Sequence, residues 1–131
     1  MHRRGSGEGN AFDWKHTVGP LHTRVPDFNL WALRTPGGDY SQSHQIGFYE
    51  YFLLCEDLGA AAVPVVPAGI SCQFRSRQSL ATHGAEFETL RRDVRDLVEW
   101  ATGDASRGGW AALRAEAGHP DPFEMKYLAI G

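Results

Sequence analysis

Six histidines, sixteen carboxylates and two cysteines are the side chains of this 131-residue chain able to act as metal ligands, nucleophiles, acids or bases. Their spacing builds little. His16 and His22 fall in a loop and His119 sits inside a proline turn, Gly118-His119-Pro120-Asp121-Pro122, so no pair has metal-ligand spacing. Each reads as a surface or packing residue. Cys55 and Cys72 fit no metal or redox pattern, and Cys55 lies on an apolar helix face, where a buried free thiol is the simplest reading. Paired carboxylates for glycoside chemistry would have to stand about 5–9 Å apart at strand ends. The strand ends here carry Pro67-Ala68-Gly69 and Ile130-Gly131. Glu50 and Asp57 belong to one helix, and Glu86 to Glu99 to another. There is no nucleophile elbow, phosphate loop or dinucleotide fingerprint. No catalytic set, metal set or cofactor site is expected within the chain.

Trp14 is the remaining candidate. It stands in Phe12-Asp-Trp14-Lys15-His-Thr-Val-Gly19-Pro20, a loop closed by a Gly-Pro turn. An indole there can stack on the CH face of a sugar, or it can pack beneath its own loop. Trp31 and Trp110 are weaker candidates, since both stand beside apolar residues.

The elements around these residues follow from periodicity. Phe48, Tyr51, Phe52, Cys55 and Leu58 share one face of a helix, with Glu50 and Asp57 opposite. Ser41 or Ser43 can cap it, and Gly59 follows where a left-handed residue is often needed. The uncharged run Ala60 to Ala68 then reads as a strand buried on both faces, the kind found in parallel sheets flanked by helices. After a loop from Gly69 to Gly84, a second helix places Phe87, Leu90, Val94, Leu97, Val98 and Ala101 on one arc of about 100°. Its charges, Glu86, Glu88, Arg91, Arg92, Arg95, Asp96 and Glu99, read as a solvated face. Gly103 stops it. A short helix over Trp110 to Ala117 and a strand over Met125 to Gly131 close the chain.

Residues 1–11 are polar, Gly-rich and expected to be poorly ordered. Leu21 to Asp39 reads as irregular, with Phe28, Leu30, Trp31 and Leu33 able to make a short ordered piece. The length suits one small domain. With 42% hydrophobic and 22% charged residues, the composition is globular. A net charge of −3 gives no electrostatic reason to expect nucleic acid or an anionic membrane as partner. No apolar run approaches the roughly 20 residues of a membrane span. No signal peptide is visible after Met1, and localisation stays open. Strand, helix, strand in one sheet implies an α/β fold with a right-handed crossover. Working residues in such folds sit past the carboxyl ends of the strands.

Several stretches together resemble the family 51 α-L-arabinofuranosidases. They are Trp14-Lys15-x-Thr17-Val18-Gly19-Pro20, Gly47-x-x-Glu50-Tyr51-x-x-x-Cys55-Glu56-Asp57-Leu58-Gly59-Ala60 and Ala68-Gly69. Gly103-Asp104-Ala105-Ser106, Trp110-x-x-Leu113-Arg114-Ala115-x-x-Gly118-His119-Pro120-x-Pro122-Phe123 and Lys126-Tyr127-Leu128-x-Ile130-Gly131 continue the pattern. The resemblance implies that residues 12–131 are part of a (β/α)8 TIM barrel, roughly its third to fourth βα units, cut just before the acid/base Glu. It implies retaining hydrolysis of terminal α-L-arabinofuranosyl residues in arabinan or arabinoxylan by two glutamates. In the family the strand ending here at Ile130-Gly131 continues into Asn-Glu, that Glu being the acid/base, and the nucleophile lies on a later strand. By that resemblance neither glutamate is in this chain, and the isolated chain is expected to be inactive. The Trp14 loop matches the family's wall near the leaving group, which makes Trp14 the expected substrate-binding residue. The implied partner is an arabinose-containing oligo- or polysaccharide; whether the parent is a homo-oligomer stays open. Pro67 stands where many members have Asn, and Pro64 is awkward inside a strand. Two rivals remain: another retaining barrel glycosidase, and a non-catalytic sugar-binding or interaction module built on Trp14.

Overall fold

The computed structural model describes residues 13–28, 41–68 and 83–131. The expectations for residues 1–11, for Leu30, Trp31 and Leu33, and for most of the loop after Gly69 lie outside that set.

The segment read as irregular carries local order. Two 3-10 turns, Trp14–Thr17 and Leu21–Thr23, are followed by β1 (Asp27–Phe28). Asp13 caps the first turn by accepting the Lys15 N–H at 2.9 Å. β1 pairs antiparallel with β2 (Ser41–Gln42), in the register Asp27 with Gln42 and Phe28 with Ser41.

Helix α1 spans Phe48–Leu58. Its cap is Gly47, not Ser41 or Ser43. The reason is a close approach: a Cβ at residue 47 would lie 2.1 Å from the Thr17 carbonyl oxygen. With glycine there, the two chains touch and the helix start is served from both sides. Glu50 accepts the Gly47 N–H at 2.8 Å, half of a capping box, and the Thr17 hydroxyl accepts the Phe48 N–H at 3.0 Å. Gly59, at φ +63°, ends the helix with the Ala60 N–H on the Cys55 carbonyl at 2.8 Å. Phe52 and Cys55 are buried as expected, whereas Leu58 is exposed because the core side of α1 ends one turn earlier. Glu50 does not face away; it turns back to the helix start.

β3 (Val65–Val66) pairs parallel with β4 (Ala129–Ile130), Val65 opposite Ala129 and Val66 opposite Ile130. The α/β expectation of a strand–helix–strand unit holds. The strands are shorter than expected, and Pro64 explains why. Its carbonyl accepts the Ala129 N–H at 2.9 Å, but the next rung of a parallel ladder would need a donor on residue 64. Proline has none, so residues 125–128 approach without joining the ladder. Burial also alternates with period two: Ala62, Pro64 and Val66 are buried, and Ala61, Val63 and Val65 are exposed. The expectation of a strand buried on both faces is therefore corrected. Helices cover one face, and the other is open among the described residues.

Helix α2 (Ala85–Thr102) connects β3 to β4, with α3 (Gly109–Glu116) following it. Leu97, Trp100 and Ala101 are fully buried, while Val98 is exposed. The buried arc is thus centred between Leu97 and Ala101, and Trp100 replaces Val98 in it. Arg114 on α3 is completely buried. It donates to the carbonyls of Trp100 (2.6 Å), Gly103 (2.8 Å), His119 (3.0 Å) and Pro120 (3.0 Å). Two of these close the C-terminal end of α2, where the helix dipole favours a cation. Burial pulls the Arg114 pKa below its ordinary value, against the opposing Asp121 carboxylate. The core joins Trp14, Val18, Phe52, Ala62, Val66, Leu97, Trp100 and Phe123.

Candidate functional site

The Tyr51 hydroxyl accepts the Val63 N–H at 2.9 Å, which ties α1 to the chain entering β3. At the carboxyl ends of β3 and β4 the chain presents Pro67-Ala68 and Gly131. The Gly131 carbonyl accepts the Ala68 N–H at 2.9 Å. No titratable side chain belongs to these strand ends.

Arg24 and Glu50 meet at the start of α1. The guanidinium grips the carboxylate through two parallel bonds of 2.8 Å each. Burial pushes the Glu50 carboxyl up, but the Arg24 fork and the Gly47 N–H outweigh it and hold its pKa below the usual range. Nothing in the sequence marked Arg24. Glu50, three residues after Gly47, carried the spacing of a capping box and could have been found by it.

Trp14 is 3% exposed. Its ring lies against Trp110, Trp100 and Phe48, with centroids 5.0, 6.1 and 6.4 Å away, and its N–H donates to the Asp93 carbonyl at 3.0 Å. Of the two roles open to it, this geometry describes packing. Lys15, next in sequence, reaches α2 and bonds the carboxylates of Asp93, at 2.6 Å, and Asp96. Its ammonium lies 5.0 Å from the Trp110 ring centre. Asp96 is therefore not on a fully solvated face; Glu99 is exposed as expected, but its carboxylate also accepts the Trp110 backbone N–H at 3.0 Å.

His119 packs. Its ring stacks on Phe123 at 4.0 Å, with Nε2 2.9 Å from Glu56 and Nδ1 2.7 Å from the Asp121 carbonyl. This contact borders an open cavity of about 360 Å3 lined by Cys55, Gly59, Ala62, Phe123, Glu124 and Lys126, at the amino end of the strands. His16 and His22 are exposed. Among the described residues no group of three or more His, Cys, Asp or Glu could hold a metal ion. No helix among them is long and apolar enough to cross a membrane.

Residues 3–131 match the family described as the α-L-arabinofuranosidase 1 domain. The chain belongs to that family of arabinofuranosidases. It is 38% identical over 122 residues to an extracellular exo-α-L-arabinofuranosidase of Streptomyces chartreusis, covering 92% of this chain and 14% of the relative. It is 38% identical over 128 residues to α-L-arabinofuranosidase 1 of Arabidopsis thaliana, covering 93% of this chain and 16% of the relative. The arabinose-bound MgGH51 α-L-arabinofuranosidase superposes with a TM-score of 0.73 at 26% identity, over 93% of this chain and 18% of that one. The arabinose complex of the Thermotoga maritima α-L-arabinofuranosidase shares the fold, with a TM-score of 0.66 at 20% identity, over 97% of this chain and 21% of that one. The chain thus spans about a seventh to a sixth of the length of these first two relatives.

Proposed function

We propose that this chain forms part of the catalytic barrel of a retaining α-L-arabinofuranosidase, one that removes terminal α-L-arabinofuranosyl residues from arabinan- or arabinoxylan-type glycans. The observation that carries the reading is the parallel β3–β4 pair, joined through α2 and hydrogen-bonded out to Gly131. In this reading β3 and β4 are neighbouring barrel strands, about the third and fourth. The open face bearing Val63 and Val65 then looks into the barrel, where aliphatic side chains fill the interior.

The acid/base glutamate would stand two positions past Gly131, at the carboxyl end of β4, and the nucleophile on a later strand. Retention needs the two carboxyl groups about 5–5.5 Å apart. A chain with neither has no proton donor and no nucleophile, so by itself it hydrolyses nothing. Its contribution is to place strand β4, through Arg114, Phe123 and the ladder to β3.

Two assays test this. The 131-residue chain alone should show no turnover of an aryl α-L-arabinofuranoside; measurable turnover overturns the reading. Exchanging the matching segment of the Streptomyces chartreusis enzyme for residues 13–131 should leave a folded chimera that cleaves the same compound. A chimera that unfolds cooperatively but is inert also overturns it.

A further inference from the structure

A proline and a glycine face each other where β3 and β4 end. The ladder between the strands advances in steps of two. The Pro64 carbonyl accepts the Ala129 N–H at 2.9 Å, the Val66 carbonyl accepts the Gly131 N–H at 3.0 Å, and the Gly131 carbonyl accepts the Ala68 N–H at 2.9 Å. Even-numbered residues of β3 and odd-numbered residues of β4 therefore carry the bonds. With Val65 opposite Ala129, the same register sets Pro67 opposite Gly131.

Side chains follow the same parity. A Cβ on Gly131 would lie 3.9 Å from Val65 Cγ1, so position 131 points to the open face that bears Val65. Pro67, half-buried and two residues after Val65, belongs to that face too. Gly131 adds no side chain there, and the next residue of that parity after Pro67 is Gly69, which has none either. Among the described residues, Pro67 is the last side chain of β3 on the open face.

One more step of the ladder falls two residues past Gly131. The pattern sends that residue's N–H to the Ala68 carbonyl and its side chain to the face of Pro67. In the arabinofuranosidase reading above, on which this inference rests, the residue is the acid/base glutamate. Its carboxyl must be protonated when the leaving group departs. An apolar neighbour favours the protonated carboxyl, because it disfavours the charged form. The pyrrolidine ring has no N–H or hydroxyl to offer a carboxylate.

We infer that Pro67 is a positioning residue for the acid/base: β3 seats the glutamate's backbone on Ala68 and sets the Pro67 ring, unscreened by any side chain at Gly131, beside its carboxyl, which keeps the acid protonated.

The test is the pH profile of kcat/KM in the Streptomyces chimera, read on an α-L-arabinofuranosyl disaccharide, whose sugar leaving group needs the proton. Threonine and valine have nearly the same shape and differ by one hydroxyl. The Pro67 nitrogen points away from β4, so neither replacement breaks a bond of the ladder. Pro67→Thr places a donor against the carboxylate and should move the alkaline limb down by about half a pH unit or more. The acid limb, set by the nucleophile, should stay within about 0.2 unit. Pro67→Val keeps the face apolar and should keep the alkaline limb of the unsubstituted chimera. An alkaline limb unmoved by Pro67→Thr, an equal shift of both limbs, or the same shift with Pro67→Val overturns the inference. Pro67→Ser against Pro67→Ala makes the same comparison if the first pair does not fold. A folded but inert unsubstituted chimera sinks the arabinofuranosidase reading and this inference with it, whereas an active chimera with an unmoved limb sinks the inference alone.

Discussion

The Thr17 hydroxyl accepts the backbone N–H of Phe48 at 3.0 Å, across 31 residues of sequence. The same hydroxyl donates to the Trp14 carbonyl at 2.7 Å. One buried oxygen therefore closes a 3-10 turn and opens α1. Thr17→Val keeps the shape and removes both bonds. It should cost about 1–2 kcal/mol, the range for losing an N-cap, read as a lower urea midpoint at unchanged slope. Thr17→Ser should recover most of it. Equal midpoints for Val and wild type would show that the contact contributes nothing.

Gly47 and Gly59 bound the same helix for different reasons, and alanine should separate them. At Gly47 the added Cβ would meet the Thr17 backbone at 2.1 Å, so the two chains must part. At Gly59 the added Cβ meets nothing within 4 Å, but φ is +63°. Gly59→Ala should cost about 1 kcal/mol, as left-handed alanine does. Gly47→Ala should cost more, about 2 kcal/mol or above, as overpacking does. The order of the two thermal midpoints checks the claim; the reverse order refutes it.

Trp14 should behave as core. Trp14→Ala removes a buried indole and its bond to Asp93, with an expected loss of about 3–5 kcal/mol. Trp14→Phe should lie between. A substitution that left the urea midpoint in place would mean the ring is not packed as described.

Two ion pairs give opposite pH signatures. The folded-state pKa of Glu50 is depressed below its ordinary 4.5, so its contribution is present at neutral pH and is lost as pH falls through the folded value. Glu50→Gln should flatten the acid limb of the stability curve below about pH 4.5. For Lys15, burial pulls the pKa down, but the hydrogen bonds it donates to Asp93 and Asp96, with their negative charge, more than offset this and raise it above 10.5. Its contribution is full below the unfolded value and is lost as pH rises through the folded one. Lys15→Met should therefore lower stability at neutral pH and remove the alkaline fall above about pH 10.5. Denaturant melts across pH separate the two.

Much of the fold was legible because it is local. The arc Phe52–Cys55, the stop at Gly59 and the buried Leu97 and Ala101 follow from periodicity and from one residue's tolerance of positive φ. The misses share a cause. Val98 and Leu58 fit the apolar pattern but are exposed, with no element among the described residues covering them. Asp96 and Glu99 look solvated on a helical wheel, yet meet Lys15 and the Trp110 N–H from other parts of the chain. Neither fact is encoded within a window of helical length.

The amino-acid sequence by itself determined the α/β order of the elements and the family resemblance. Those depend on residue type and on neighbours a few positions apart. Only the tertiary structure decided that Trp14 packs, that the Thr17 hydroxyl takes up the first N–H of α1, that Pro64 stops the ladder on one side and that Arg24 ties Gly19, His44 and Glu50 together. The physical reason is that a buried ring, a cap or a guanidinium is defined by what surrounds it. Here much of the surroundings comes from distant parts of the chain, as in the Arg24–His44 contact across 20 residues and the Trp14–Asp93 contact across 79.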